Sequence, residues 1–201
     1  MSPYRELLIG CGHKRDKRID PQYLTPLGLN HSWRGLVETL DMFVECRPDY
    51  VCNLQRVPWR VLRTANDESC QSETALPDDT YDEVHAYEVL EHLGRQGDYR
   101  AFFAHFSEVW RILKAGGYLC ATVPSRYCAW LWGDPGHTRA ILPETLVFLT
   151  QPNYDAQQGN TSMSDYRRDY RADFDLVLTV DNHQTHTFVL RAVKPSRVTL
   201  S

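Results

Sequence analysis

The 201-residue sequence has no apolar run near the roughly 20 residues that a bilayer-spanning helix needs. Its N-terminal apolar stretch, LLIGC, is short and stands among charges, which excludes a secretory signal. Six cysteines are present, Cys11, Cys46, Cys52, Cys70, Cys120 and Cys128, but no two have C-x-x-C spacing. That argues against a zinc clip or a thioredoxin-type motif. Cys11, Cys52 and Cys120 lie inside apolar runs, where a reduced thiol behaves as a small hydrophobe. A cytoplasmic protein is expected. Internal repeats, low-complexity tracts and Pro/Gly/Ser-rich linkers are also missing, so residues 1–201 are read as one domain. There is no excess of positive charge, with 22 Lys and Arg against 26 Asp and Glu. A net charge of −4 makes nonspecific nucleic-acid binding a poor expectation, because that binding relies on cations neutralising phosphates.

What is present is an ordinary globular composition, 42% hydrophobic and 24% charged. A chain of this length buries about 70% of its unfolded surface and needs no covalent staples. Five to seven short strands are legible. The first is ELLIGC (Glu6 to Cys11), the second LVETLDM, ending at Asp41 and Met42, and the third DYVCNL, ending near Asn53. The stretch from Gln55 to Asp79 is polar, broken by Pro58 and Pro77, and reads as irregular. YDEVHAY (Tyr81 to Tyr87) is the fourth strand. The first of them is a continuous apolar run of the kind that fills the centre of a parallel sheet.

The clearest helix follows. Asp98 is placed to cap it, and Tyr99, Phe102, Phe103, Phe106, Val109, Trp110 and Leu113 recur at three- and four-residue steps. Gly116-Gly117 is expected to stop it, and YLCATV to form the fifth strand, ending at Pro124-Ser125. A short helix is expected at Pro143 to Leu149. FDLVLTV and THTFVLRAV, joined by the polar turn Asp181 to Gln184, read as an antiparallel hairpin. The sum is an α/β, Rossmann-like three-layer sandwich: a mostly parallel seven-stranded sheet with an antiparallel strand in its C-terminal hairpin.

Two features point to a ligand. Gly10-Cys11-Gly12 ends the first strand, where ligands of open α/β sheets bind and where glycine lets them approach the backbone. Asp41 ends the second, where a carboxylate accepts hydrogen bonds from ribose hydroxyls. A nicotinamide-dependent oxidoreductase would call for G-x-G-x-x-G and an acid about 20 residues on. The third glycine is missing, and Asp41 lies 29 residues after Gly12.

In order, LLIGCG, TLDM, YDEVHAYEVLEHL and EVWRILKAGGYLCATVPS resemble the class I S-adenosylmethionine-dependent methyltransferases, especially small bacterial and phage-type domains. The resemblance covers roughly residues 5–125, and the closing hairpin is similar to the family's last two strands. It implies that Gly10, Cys11 and Gly12 line the methionine part of S-adenosylmethionine. It also implies that Asp41 holds the ribose, Met42 packs on the adenine face, and Asn53 and Leu54 meet the adenine edge. Ala86, Tyr87 and Glu88 would run along the sulfonium side. The chain departs from the family in three places. Leu8 and Asn53 stand where acids are common, and HKRDKRIDPQYLTPLG, with Pro21 and Pro26, replaces the usual first helix.

Methyl transfer from a sulfonium needs alignment more than a particular residue, and a base only when the acceptor must lose a proton. His137, in GDPGHTR after the fifth strand, is the candidate base. Glu88, Glu91 and His92 form E-x-x-E-H, similar to a divalent-metal pattern in some quinone-biosynthesis O-methyltransferases. The favoured reading is local hydrogen bonding at a helix start, without metal. Tyr127, Trp130 and Trp132 offer either an acceptor wall or a satellite of the core. The charge run HKRDKR (His13 to Arg18) reads as a solvated loop. The segment Arg126 to Asp165 is expected as an acceptor-side insertion or lid. The acceptor is expected to be a small molecule or a protein sooner than nucleic acid, with no membrane partner. The rival to an enzyme is a catalytically silent methyltransferase-like binding module.

Overall fold

The computed structural model describes residues 3–64 and 72–199, so Cys70 lies outside the described residues. Among the described residues, nine strands form one sheet: β1 (Arg5–Ile9), β2 (Leu36–Asp41), β3 (Tyr50–Val51), β4 (Arg60–Arg63), β5 (Thr74–Ala75), β6 (Tyr81–Tyr87), β7 (Leu113–Pro124), β8 (Phe174–Asp181) and β9 (Thr185–Ala192). Their spatial order is β5-β4-β3-β2-β1-β6-β7-β9-β8. The pairs β3–β2, β2–β1, β1–β6 and β6–β7 are parallel, and β9 is antiparallel to both β7 and β8. This is a doubly wound, Rossmann-like order that reverses between β1 and β6.

Seven strands were expected, and the sheet has nine. The additional two come from the segment read as irregular, where β4 and β5 add an antiparallel ribbon beyond β3. Its prolines do not prevent this, because Pro58 and Pro77 fall outside the two strands.

Strand alternation sorts the core into two faces. Leu7, Ile9, Val84, Ala86, Leu119, Ala121, Val123, Phe188 and Leu190 share one cluster with Phe102, Phe103, Phe106, Val109 and Ile112 of α2 (Tyr99–Ile112). Asp98 caps that helix through Ala101 N–H at 3.0 Å, as expected. The helix ends at Ile112, earlier than the glycine pair suggested. Leu113 already pairs with Tyr81, and residues 114–117 bulge out before pairing resumes at Tyr118. Gly116, at φ +79°, serves that bulge and not a helix terminus.

Leu8, Cys11, Tyr87, Cys120 and Val189 face the other side, under Ile19, Leu24 and Leu29. Among the described residues, no long helix covers this face. The chain after β1 carries one turn, α1 (Pro21–Leu24), capped by Asp20 with Pro21 at its start, as the prolines implied.

The charge run is not a solvated loop throughout. The Lys17 side chain is wholly buried, with Nζ 2.6 Å from both Glu6 and Glu83. Burial alone would raise the Glu83 carboxyl, but hydrogen bonds from His85, Lys17 and Tyr4 outweigh it and hold the group at about 2. Burial keeps His85 neutral, so it donates to Glu83 at 2.9 Å and accepts from the Tyr87 hydroxyl at 2.7 Å. An ammonium fills the place that an apolar helix face would take, and carboxylates of β1 and β6 answer it.

Residues 126–165 are not a detachable lid. Ile141, Leu146 and Leu149 belong to the main core, and His186 binds the Ile141 carbonyl at 3.0 Å. The expected helix at Pro143–Leu149 is a 3-10 helix, followed by α4 (Gln151–Gln157). The segment's exposed parts are its beginning, around α3 (Trp130–Gly133), and its end, from Gly159 to Asp165.

Candidate functional site

A cleft of about 390 Å³ opens over the carboxyl ends of β1, β2, β3 and β6. This is the crevice that the reversal of strand order creates. Gly10, Gly12, Asp41, Met42, Asn53 and Leu54, all expected at the site, line it. Phe43, Cys46, Cys52, Gln55, Val89, His92 and Leu93 complete the wall. Its size suits a nucleoside-bearing ligand, and its surface is mainly apolar with a few polar groups.

Each wall has a local cause. Gly10 and Gly12 both adopt positive φ, +59° and +51°, which turns the chain sharply away from β1. Asp41 is almost fully buried at the end of β2. Its Oδ2 accepts from Gly12 N–H at 2.8 Å and its Oδ1 from Phe43 N–H at 3.0 Å. A carboxylate has about four lone-pair positions, so two remain for a ligand. Arg15 braces the glycine turn by donating to the carbonyls of Gly12, Cys46 and Arg47. Gln55 ties the segment after β3 to the one after β6, donating to the His92 carbonyl and accepting from Gly94 N–H. The Cys52 thiol is pushed up to about 12 by burial and is inert.

Four expected residues do not line the cleft. Ala86 is buried in the face under α2, and Cys11 and Tyr87 are buried on the opposite face. Strand alternation sends these side chains into the layers. Glu88 is exposed at φ +54°, its amide bonded to the Thr122 carbonyl at 2.9 Å.

A second group adjoins the cleft at His92. Glu91 and His92 lie in the 3-10 turn Leu90–His92, and His137 is brought to them by the segment after β7. Thr138 and Arg139 donate their amides to the Glu91 carbonyl at 3.0 and 3.1 Å. The buried Arg139 guanidinium bonds the carbonyls of Leu93, Arg95 and Asp98. The His92 and His137 rings meet edge to face at 4.7 Å. His137 Nε2 stands 3.9 Å from both Glu91 and Asp134.

Glu91 was expected to bond locally, yet neither of its carboxylate oxygens has a partner among the described residues. Burial pushes its carboxyl up to about 8. Glu88 does not join Glu91 and His92; the side chain that converges with them is His137. No sequence spacing announces it, because His137 lies 45 residues after His92 and is brought back by bonds of Thr138 and Arg139 to the Glu91 carbonyl and of the Gly136 carbonyl to His92.

No family model and no curated protein sequence matches the chain. Among solved structures, it is similar to a SAM-dependent methyltransferase from Archaeoglobus fulgidus. The identity is 14%, the match covers 94% of this chain and 86% of that one, and the TM-score is 0.46. It is also similar to the N-methyltransferase NodS from Bradyrhizobium japonicum WM9 in complex with S-adenosyl-L-homocysteine, at 14% identity, 95% and 79% coverage and a TM-score of 0.46. The [4+2]-cyclase SpnF matches at 13% identity, 94% and 74% coverage and a TM-score of 0.48. The fold assignment rests on the chain's own strand order. Among the described residues, no helix is long and apolar enough to cross a membrane.

Proposed function

We propose that the cleft binds S-adenosylmethionine and that the protein transfers its methyl group to an acceptor. The observation that carries this reading is the placement of the Asp41 carboxylate. It closes β2 opposite the Gly10 and Gly12 turn, with apolar walls from Met42, Phe43, Leu54, Val89 and Leu93 between them. Asp41 holds the ribose hydroxyls, the apolar walls sandwich the adenine near Asn53, and the glycine turn admits the amino-acid portion.

In the reaction an acceptor lone pair attacks the methyl carbon in line with the C–S bond. That bond breaks with its electron pair going to sulfur, and a neutral thioether, S-adenosylhomocysteine, leaves. Holding donor and acceptor about 3 Å apart supplies most of the rate. For an acceptor that must lose a proton, His137 is the base of the metal-free protein. It stands one ring behind the cleft wall, in edge contact with His92. The acceptor is a small molecule or a protein, and the protein works in the cytoplasm.

Calorimetry with S-adenosylmethionine and S-adenosylhomocysteine tests the cofactor assignment. One-to-one binding in the micromolar range is expected for both. Absence of heat at millimolar concentration of either would overturn it, while binding without label transfer to any acceptor would favour a silent module.

A further inference from the structure

Buried carboxylates are ordinarily hydrogen-bonded, ion-paired or metal-bound. Glu91 is fully buried, and both of its oxygens lack a hydrogen-bond partner among the described residues. The nearest imidazole nitrogen, His137 Nε2, stands at 3.9 Å, too far for a hydrogen bond. A divalent ion held at about 2.1 Å from each of two ligands separates those ligands by roughly 3.4 to 4.2 Å. The gap is the size of a cation. One ligand atom from each of Glu91, His92 and His137 lies within 4.8 Å of the others.

The surroundings suit coordination. His92 Nδ1 lies 2.9 Å from the Gly136 carbonyl, so it carries the proton and leaves Nε2 as a free lone pair. Gly136 allows this close approach, since a Cβ there would sit 3.4 Å from His92 Nδ1 and 3.1 Å from Asp134 Oδ1. Asp134 Oδ1 accepts from Gly136 N–H at 2.7 Å, and its Oδ2 lies 3.9 Å from His137 Nε2. A fourth, partly exposed oxygen therefore flanks the group.

We propose that Glu91, His92 and His137 bind a divalent transition metal of the zinc or cobalt type beside the cleft. Two imidazoles and one carboxylate select such ions over magnesium and calcium, which prefer oxygen donors. Three protein ligands leave a coordination position open, and His92, which also lines the cleft, puts the site next to that space. With the ion bound, His137 is a ligand and no longer a base, and the ion supplies the Lewis acid. The proposal does not depend on the cofactor assignment.

Another candidate cluster, Glu83, His85 and Cys120, does not qualify. Lys17 already pairs with Glu83, and both His85 nitrogens are engaged.

The test uses chelator-stripped full-length protein titrated with zinc chloride by calorimetry, with cobalt chloride absorption as a second readout. One equivalent of zinc at micromolar affinity or tighter is expected, visible d–d bands with cobalt, and no saturable uptake of magnesium at millimolar concentration. His137→Gln and Glu91→Gln should each weaken zinc binding tenfold or more, with unchanged circular dichroism confirming that they fold. No stoichiometric zinc binding by the unaltered protein would overturn the proposal without reference to any variant. So would zinc binding that survives both substitutions, or that is lost only in Cys120→Ser. S-adenosylhomocysteine affinity, measured separately, reports on the cofactor site alone.

Discussion

The backbone amide of Gly12 donates to Oδ2 of Asp41 at 2.8 Å, joining the turn after β1 to the end of β2 at the floor of the cleft. Asp41 thus organises two loops and still has lone pairs to spare, which is why a carboxylate suits this position better than an amide. Asp41→Ala is expected to weaken S-adenosylhomocysteine binding by about 1–3 kcal/mol. Asp41→Asn, which keeps one acceptor oxygen, should lose less. Calorimetry measures both, and affinity unchanged in the alanine variant would place the ribose elsewhere.

Gly10 and Gly12 share a positive φ but not a neighbourhood. A Cβ on Gly10 would come within 2.7 Å of Val89 Cβ, whereas one on Gly12 would meet nothing within 4 Å. Gly12→Ala should therefore carry only the left-handed backbone cost, about 1–2 kcal/mol. Gly10→Ala adds an overpacking cost of about 1–3 kcal/mol. Urea denaturation should rank the variants in that order, and equal midpoints would contradict the close approach of β1 and the chain after β6.

Residues whose partners are near in sequence, or whose pattern repeats, were legible. The fourth strand was placed at Tyr81–Tyr87 to the residue, and the Asp98 cap and the closing hairpin also stand where expected. The Gly10, Gly12 and Asp41 floor was legible because strand ends announce it. Lys17 was not, since a buried lysine and a solvated one look alike until Glu6 and Glu83 are brought beneath it. Nor was the β4–β5 ribbon, whose strands have only four and two residues. His137 reads in the sequence as a candidate base, but its meeting with Glu91 depends on Arg139 reaching three distant carbonyls.

The Lys17 cluster sets the protein's response to acid. The native carboxyl of Glu83 sits near 2 against an ordinary 4.5, so its stabilisation is complete above 4.5 and lost as pH falls toward 2. His85, held neutral by burial, acts with the same sign and begins to oppose the fold once pH drops below about 6.5. Stability measured by urea titration should therefore decline steadily from pH 6.5 downward. Lys17→Met leaves two buried carboxylates without their cation and should cost about 3–5 kcal/mol at pH 7. In that variant the acid limb should be shallower. A variant as stable as the parent would mean that Lys17 is solvated after all.

Tyr127, Trp130 and Trp132 are about two-thirds exposed, within six residues of one another, while the chain beyond them turns into the core at Ile141 and Leu146. Deleting the whole segment would open that core, so its role toward the acceptor is better tested at the surface. Trp130→Ala combined with Trp132→Ala removes two large apolar surfaces without creating a cavity. Each change should alter stability by no more than about 0.5 kcal/mol, and S-adenosylhomocysteine affinity should stay as it was. Methyl transfer from labelled cofactor to the components of a cell extract should fall, because exposed aromatic rings beside the sheet's ligand-binding edge offer apolar surface to grip an acceptor. Full transfer by the double variant would show that these rings have no part in acceptor binding. A loss of cofactor affinity would show instead that the segment after β7 supports the cleft itself, through the contact of Gly136 with His92.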